Sequence, residues 1–138
     1  MKSFILLSFL FLKVTLAGKI VEIQTKTNGN EWDAWMDSGH LDLVICGTDL
    51  CCLIDDLDSP LGNDFQWNAL DSFIGGALQG CQDFDMPGDI LKSFILAHRG
   101  PDAWLGDYVN ILLDSGRFHH CLIPGWLDES EQFYLTCE

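Results

Sequence analysis

Basic residues are scarce in this chain: seven lysines and arginines stand against 21 aspartates and glutamates, for a formal net charge of −14. A surface this negative repels phosphate backbones, so nucleic acid is not a partner. Long apolar runs are missing too. The longest, Phe4–Leu12, is nine residues broken only by Ser8, well short of the roughly 20 needed to span a bilayer as a helix. Catalytic signatures are also absent. There is no Gly-x-Ser-x-Gly, no His-Glu-x-x-His and no glycine-rich phosphate loop. No nucleophile is paired with a base, which predicts a non-enzyme. Zinc is disfavoured because no Cys-x2-Cys pair or matched histidine pair stands at ligand spacing. An EF-hand loop is not present either.

What the chain does have begins with a leader. Lys2, the run Phe4–Leu12 and the small residues of Thr15-Leu16-Ala17 have the three-part order of a secretory signal. Cleavage after Ala17 is expected, leaving one domain over 18–138 in an extracellular setting. Lys2 and Lys13 would leave with the leader, so five basic residues would face the 21 acidic ones, a charge near −16. Six cysteines, Cys46, Cys51, Cys52, Cys81, Cys121 and Cys137, are an even set for a secreted chain and predict three disulfides. The pairing stays open among fifteen possibilities. Adjacent Cys51 and Cys52 should point to opposite sides of a strand and tie different parts of the fold together.

Hydrophobic periodicity predicts short strands. Residues 19–27 alternate, with Ile20, Glu22, Gln24 and Lys26 on one side and Val21, Ile23 and Thr25 on the other; 40–47 places Leu41, Leu43 and Ile45 on one face. Segments 93–100, 107–113, 118–123 and 132–137 share the length and the β-branched or aromatic content. Turn formers separate them. This pattern predicts an antiparallel β-sandwich or barrel. The one helical candidate is 68–79, weakened by Gly75 and Gly76.

Carboxylates and amides crowd three loops. Asp55, Asp56, Asp58, Asn63 and Asp64 fill one, Asn28, Asn30, Glu31 and Asp33 a second, and Asp102 follows Pro101 in the third. Calcium takes six to eight hard oxygens of this kind, while solvated turns use the same residues for their own geometry. Trp32, Trp35 and Trp67 sit beside these loops. In an extended segment Trp32 and Trp35 have opposite parity, so at most one should face a core, leaving the others to approach a bilayer interface. Trp104 and Trp126, at strand ends, are expected in the core. His119 and His120 point oppositely on a strand and cannot share a metal, and His98 precedes a turn.

Four stretches carry a resemblance. "DSPLGNDF" (58–65) resembles the calcium loop, and "GPDAW" (100–104) a second calcium-binding element, of the C-terminal domain of clostridial alpha-toxin. "WLGDYVNI" (104–111) and "CLIPGWLD" (121–128) are similar to elements of PLAT domains, named for polycystin, lipoxygenase and alpha-toxin. The resemblance implies an eight-stranded β-sandwich whose end loops bind calcium and a membrane or protein partner. Asp58, Gly62, Asn63 and Asp64 match one loop, Asp102 and the Ala103 carbonyl another, and Asn30 and Glu31 stand in a third. Leu61 is an insertion relative to the family loop. The function this implies is a secreted, monomeric module that docks on lipid surfaces or lipid-associated proteins with calcium. The competing reading is a disulfide-stabilised structural or defence protein that binds another protein without calcium.

Overall fold

The structure, a computed structural model, describes residues 18–59 and 63–138. The expected leader (1–17) and Gly62 lie outside the described residues. The described residues form ten strands in two antiparallel sheets: β1 (Gly18–Thr27), β2 (His40–Cys46), β3 (Cys51–Ile54), β4 (Leu70–Ile74), β5 (Asp85–Met86), β6 (Ser93–Arg99), β7 (Trp104–Leu113), β8 (Phe118–Leu122), β9 (Trp126–Leu127) and β10 (Gln132–Tyr134). One sheet has the order β4-β1-β7-β8, the other β10-β6-β2-β3. These eight strands are the sandwich expected from the sequence. The additional two, β5 and β9, are two-residue pairings on β1 and β7.

Alternation positions the core. Leu41, Leu43 and Ile45 of β2 are fully buried and face Ile23, Val109 and Ile111 from the other sheet within one apolar cluster. In β1 the strict alternation breaks: both Ile20 and Ile23 are buried. A register shift between Ile20 and Glu22 against β7 inserts one residue, so the strand changes phase and both isoleucines turn inward. The helix expected over 68–79 is instead β4 followed by a short 3-10 turn, Gly75–Leu78. Pairing with β1 along Glu22–Lys26 outweighs the helical propensity of that segment.

All six cysteines are paired: Cys46–Cys51, Cys52–Cys81 and Cys121–Cys137. Cys51 and Cys52 serve different bridges as their strand parity requires. Cys46–Cys51 staples the β2–β3 hairpin, while the buried Cys52–Cys81 joins β3 to the segment after the 3-10 turn. The chain after β10 crosses to the other sheet, where Glu138 and His120 exchange backbone hydrogen bonds and Cys121–Cys137 closes the crossing.

Candidate functional site

Antiparallel register sends the three loops crowded with carboxylates and amides to one end of the sandwich. The last residues of β1, β3, β6 and β8 and the first of β2, β4, β7 and β10 lie there. Loops 28–39, 100–103 and 128–131 and the described residues 55–59 and 63–69 therefore share this end. Backbone bonds stitch loop 28–39 to residues 65 and 68 and to the head of β7: Met36 N–H to Phe65 O at 3.0 Å, Asn68 N–H to Asn28 O at 3.3 Å and Leu105 N–H to Ala34 O at 3.0 Å. Lys26 reaches over from β1, its Nζ donating to Asn68 Oδ1 at 2.6 Å and Asn68 O at 3.0 Å.

Four tryptophans project from this end: Trp32 is 77% exposed, Trp67 51%, Trp35 37% and Trp126 37%. Trp32 and Trp35 are both outside because residues 31–33 form a turn rather than a strand, with Ala34 and Met36 taking the buried positions. Trp126 corrects the sequence reading. Its neighbour Leu127 fills the core and β9 parity turns the indole outward, opposite Leu105. Trp104 is buried as expected.

Between the loops lies a cleft of about 230 Å³ whose lining includes Asp37, His40, Asp56, Asp58, Asn63 and Asp64. Asp58, Asn63 and Asp64 thus come together, joined by Asp37 and Asp56, which the sequence reading did not nominate as ligands. The Asp64 carboxylate accepts from Ser59 N–H at 2.6 Å, and Asp71, just behind it, accepts from Phe65 N–H at 2.7 Å. Burial pushes Asp64 up to about 6 against the opposing Ser59 N–H, and its hydrogen bond with Asp58 and the nearby Asp71 charge add to the rise. Burial raises Asp71 as well, again opposed by its amide donor. Elsewhere on this end Asp42, Asp55 and Asp56 are compensated by basic side chains. Burial opposes ionisation of Asp42, but the two hydrogen bonds and the charge of Arg99 hold its carboxyl below the usual range. Arg99 also binds Asp55, and His40 pairs with Asp56. None of the described ion pairs reaches Asp58, Asp64 or Asp71.

Asp102 ties two loops together through one carboxylate oxygen. Its Oδ2 accepts from Asp37 N–H at 3.1 Å and Ser38 N–H at 2.8 Å, while its own amide donates to Ser38 O at 3.2 Å. It fastens loop 100–103 to the strip that carries Asp37 to the cleft. Ala103, beside it, does not line the cleft. Asn30 and Glu31 do not line it either. Their amides donate to Asn28 Oδ1, each at 2.8 Å, closing a turn that leaves both side chains exposed. Among the described residues, no three His, Cys, Asp or Glu side chains close into a metal cage. The donors are nonetheless of the kind a hard dication takes: two neighbouring carboxylates, an amide beside them and no basic partner among the described residues.

An uncompensated carboxylate makes a prediction. With a folded pKa near 6 above the ordinary value of 3.8, native Asp64 binds more protons than the unfolded chain between those pH values. Stability therefore falls as pH rises from about 4 to 6 and is then flat. Asp64→Asn keeps an oxygen for Ser59 and should raise the calcium-free stability at pH 7 by about 1 kcal/mol, a figure reduced for solvent screening of this half-exposed group. Differential scanning calorimetry between pH 4 and 7.5 checks it. The variant should melt about 3 °C higher at neutral pH and lose most of the wild-type slope.

Comparison with solved structures places the fold. The alpha toxin from Clostridium absonum superposes with a TM-score of 0.65 and 18% identity, over 90% of this chain and 33% of the toxin. Coral 8R-lipoxygenase, described as activated by calcium via a C2-like domain, gives 0.66 and 22% identity over 86% of this chain and 17% of the enzyme. A lipoxygenase variant gives 0.64 and 18% identity, with 86% and 16% coverage. The sandwich is thus the fold of the toxin's C-terminal domain and of lipoxygenase PLAT/C2-like domains. This chain spans a third or less of those proteins. Neither a family model nor a curated protein sequence matches it.

Proposed function

We propose that this protein is a secreted, non-enzymatic, monomeric module that docks onto lipid surfaces or lipid-associated proteins through the loop end of its sandwich, using calcium. The observation that carries the proposal is the meeting, at one end, of four outward tryptophans and a cleft whose Asp58 and Asp64 have no basic partner among the described residues. Three disulfides fit an oxidising, extracellular setting, and the calcium-activated C2-like domain of the coral enzyme is compatible with the reading.

Physical roles follow from the geometry. Asp58, Asn63 and Asp64 would hold calcium, with Asp37 and Asp56 adding to the field around it. A bound dication supplies positive charge where the chain has little. Asp102 keeps the cleft wall in place by fixing residues 37 and 38. Indoles favour the interfacial zone of a bilayer, with the ring in the acyl boundary and the N–H in the headgroups. Without calcium, a chain near −16 is repelled by anionic lipid. Affinity for calcium should be on the order of 10⁻⁴–10⁻³ M, as in other extracellular modules.

A triple variant, Trp32→Ala/Trp35→Ala/Trp67→Ala, tests the tryptophans. These side chains are exposed, so its melting temperature should stay within about 2 °C of wild type. Partitioning onto vesicles should fall by about tenfold or more, the equivalent of one lost interfacial anchor. Unchanged partitioning would remove the tryptophans from the interface.

One observation favours the calcium-independent, protein-binding reading. On the outer face of the second sheet, Tyr134, Ile95, Val44 and Leu53 are register partners in one row across all four strands. Tyr134 and Leu53 are more than half exposed. The vesicle measurement separates the readings, since this row lies away from the loop end.

A further inference from the structure

The opposite end of the sandwich holds a carboxylate with an unfilled valence. Asp89 is held in the left-handed region (φ 58°) at the end of a one-turn 3-10 segment, Pro87–Asp89. Its Oδ2 accepts from Ser115 Oγ at 3.0 Å, and His119 Nε2 donates to its carbonyl at 2.8 Å. Its Oδ1 is buried and has no hydrogen-bond partner among the described residues. Leaving a buried carboxylate oxygen unpaired is costly, and native structures rarely do so.

That oxygen presses on Gly18, the first residue of β1. A Cβ built on Gly18 would lie 1.8 Å from Asp89 Oδ1 and 3.2 Å from Leu113 Cδ1. The carboxylate therefore occupies the place of a side chain, against the very carbon that carries the Gly18 nitrogen. Only glycine fits. The start of β1 is also firmly seated. Gly18 pairs with Met86, Lys19 N–H donates to Asp114 Oδ1 at 2.9 Å, and Asp114 N–H donates back to Lys19 O at 2.8 Å.

We infer that Gly18 is the mature N-terminus and that its α-ammonium docks against Asp89 Oδ1, so that removal of the leader creates the partner this buried carboxylate lacks. In the step itself, a leader peptidase adds water across the Ala17–Gly18 peptide bond. Ala17 leaves with a carboxylate, and the released amine of Gly18 takes a proton to become the ammonium. Ala17 and Thr15 are the small residues such a protease accepts at the first and third positions before the cut. The amide of the uncleaved chain offers one donor; the ammonium offers three and a charge, enough to keep the β5 pairing and satisfy Asp89 as well. The contact makes maturation a locking event at the end of the sandwich away from the loops, and it stands independently of any lipid or calcium role.

The test has two arms. The full-length chain expressed in a secreting host should yield a mature protein whose intact mass and N-terminal sequence begin at Gly18. Oxidised protein beginning at Gly18 is then compared with protein carrying one additional alanine before Gly18, each with Asp89 and with Asp89→Asn. With Asp89 intact, the free Gly18 terminus should melt about 3–6 °C above the extended form. The gap should shrink to about 1 °C or less in Asp89→Asn. Should Asp89→Asn fail to fold, selective acetylation of the Gly18 amine in the wild type replaces it and should give the same loss. A mature chain that begins elsewhere, or equal melting of the Gly18 and extended forms with Asp89 intact, would overturn the inference.

Discussion

Replacing Trp104 by alanine should cost about 3–5 kcal/mol, the loss typical of a large aromatic removed from a core that cannot collapse around it. The indole heads β7, is completely buried, and donates from Nε1 to Thr27 Oγ1 at 2.9 Å. It meets Phe65 edge-on at 5.5 Å, and Phe65 stacks on Phe73 at 5.9 Å. Gly106 is bare because a Cβ there would lie 2.3 Å from the indole Cη2, so the ring already fills all the space it has. Urea denaturation followed by circular dichroism should show the midpoint falling with an unchanged slope. Trp104→Phe should recover most of the burial but leave Thr27 without its donor, at about 1–2 kcal/mol. The damage should also reach the cleft, since Phe65 follows Asp64 and its carbonyl receives the Met36 amide. In Trp104→Ala the raised titration of Asp64 should weaken as water enters.

Removing the Cys52–Cys81 bridge by paired alanine substitution should cost about 3–4 kcal/mol. The bridge spans 29 residues, and the chain-entropy account assigns a loop of that size roughly 3.6 kcal/mol. Both sulfurs are buried, so lost packing adds to the entropic term. Cys46–Cys51 spans only five residues on the exposed side of a hairpin, and its removal should cost about 2 kcal/mol. Thermal unfolding of the two double variants in oxidising buffer should therefore rank Cys52–Cys81 well above Cys46–Cys51. A reversed order would place the stabilising role of the disulfides in the hairpin rather than between β3 and the segment that follows the 3-10 turn.

The sandwich was legible because antiparallel strands with one buried face write themselves as alternation. Leu41, Leu43 and Ile45 show it plainly, and their burial follows. The opposed directions of Cys51 and Cys52 came from the same rule. Alternation fails where the backbone gains a residue, so the bulge that turns both Ile20 and Ile23 inward was invisible. It fails again in short pairings: β5 and β9 are two residues each and carry no period. Residues 68–79 misled because their composition allows a helix, while the decision rests with β1 as a long-range partner.

The cleft could be approached from its loops, but the contacts each side chain makes could not be read from the sequence. Asp58, Asn63 and Asp64 line the cleft, and their position between turn formers was the signal. Asp102 spends one oxygen on two backbone amides, contacts that depend on residues 64 and 65 positions away. Asn30 and Glu31 sit in a turn that Asn28 closes from within, which composition alone does not show. Trp126 was assigned to the core from its place at a strand end, and the two-residue β9 reverses that through parity alone.

The central claim is that calcium and the loop-end tryptophans together drive docking on lipid. The most direct measurement is co-sedimentation of the oxidised protein, beginning at Gly18, with vesicles of phosphatidylcholine and phosphatidylserine, in millimolar calcium and in chelator. The account predicts a bound fraction that is large with calcium, near zero in chelator, and strongly reduced by Asp64→Asn and by the tryptophan triple variant. Equal sedimentation with calcium and with chelator, or calcium-dependent binding unaffected by both sets of substitutions, would contradict it.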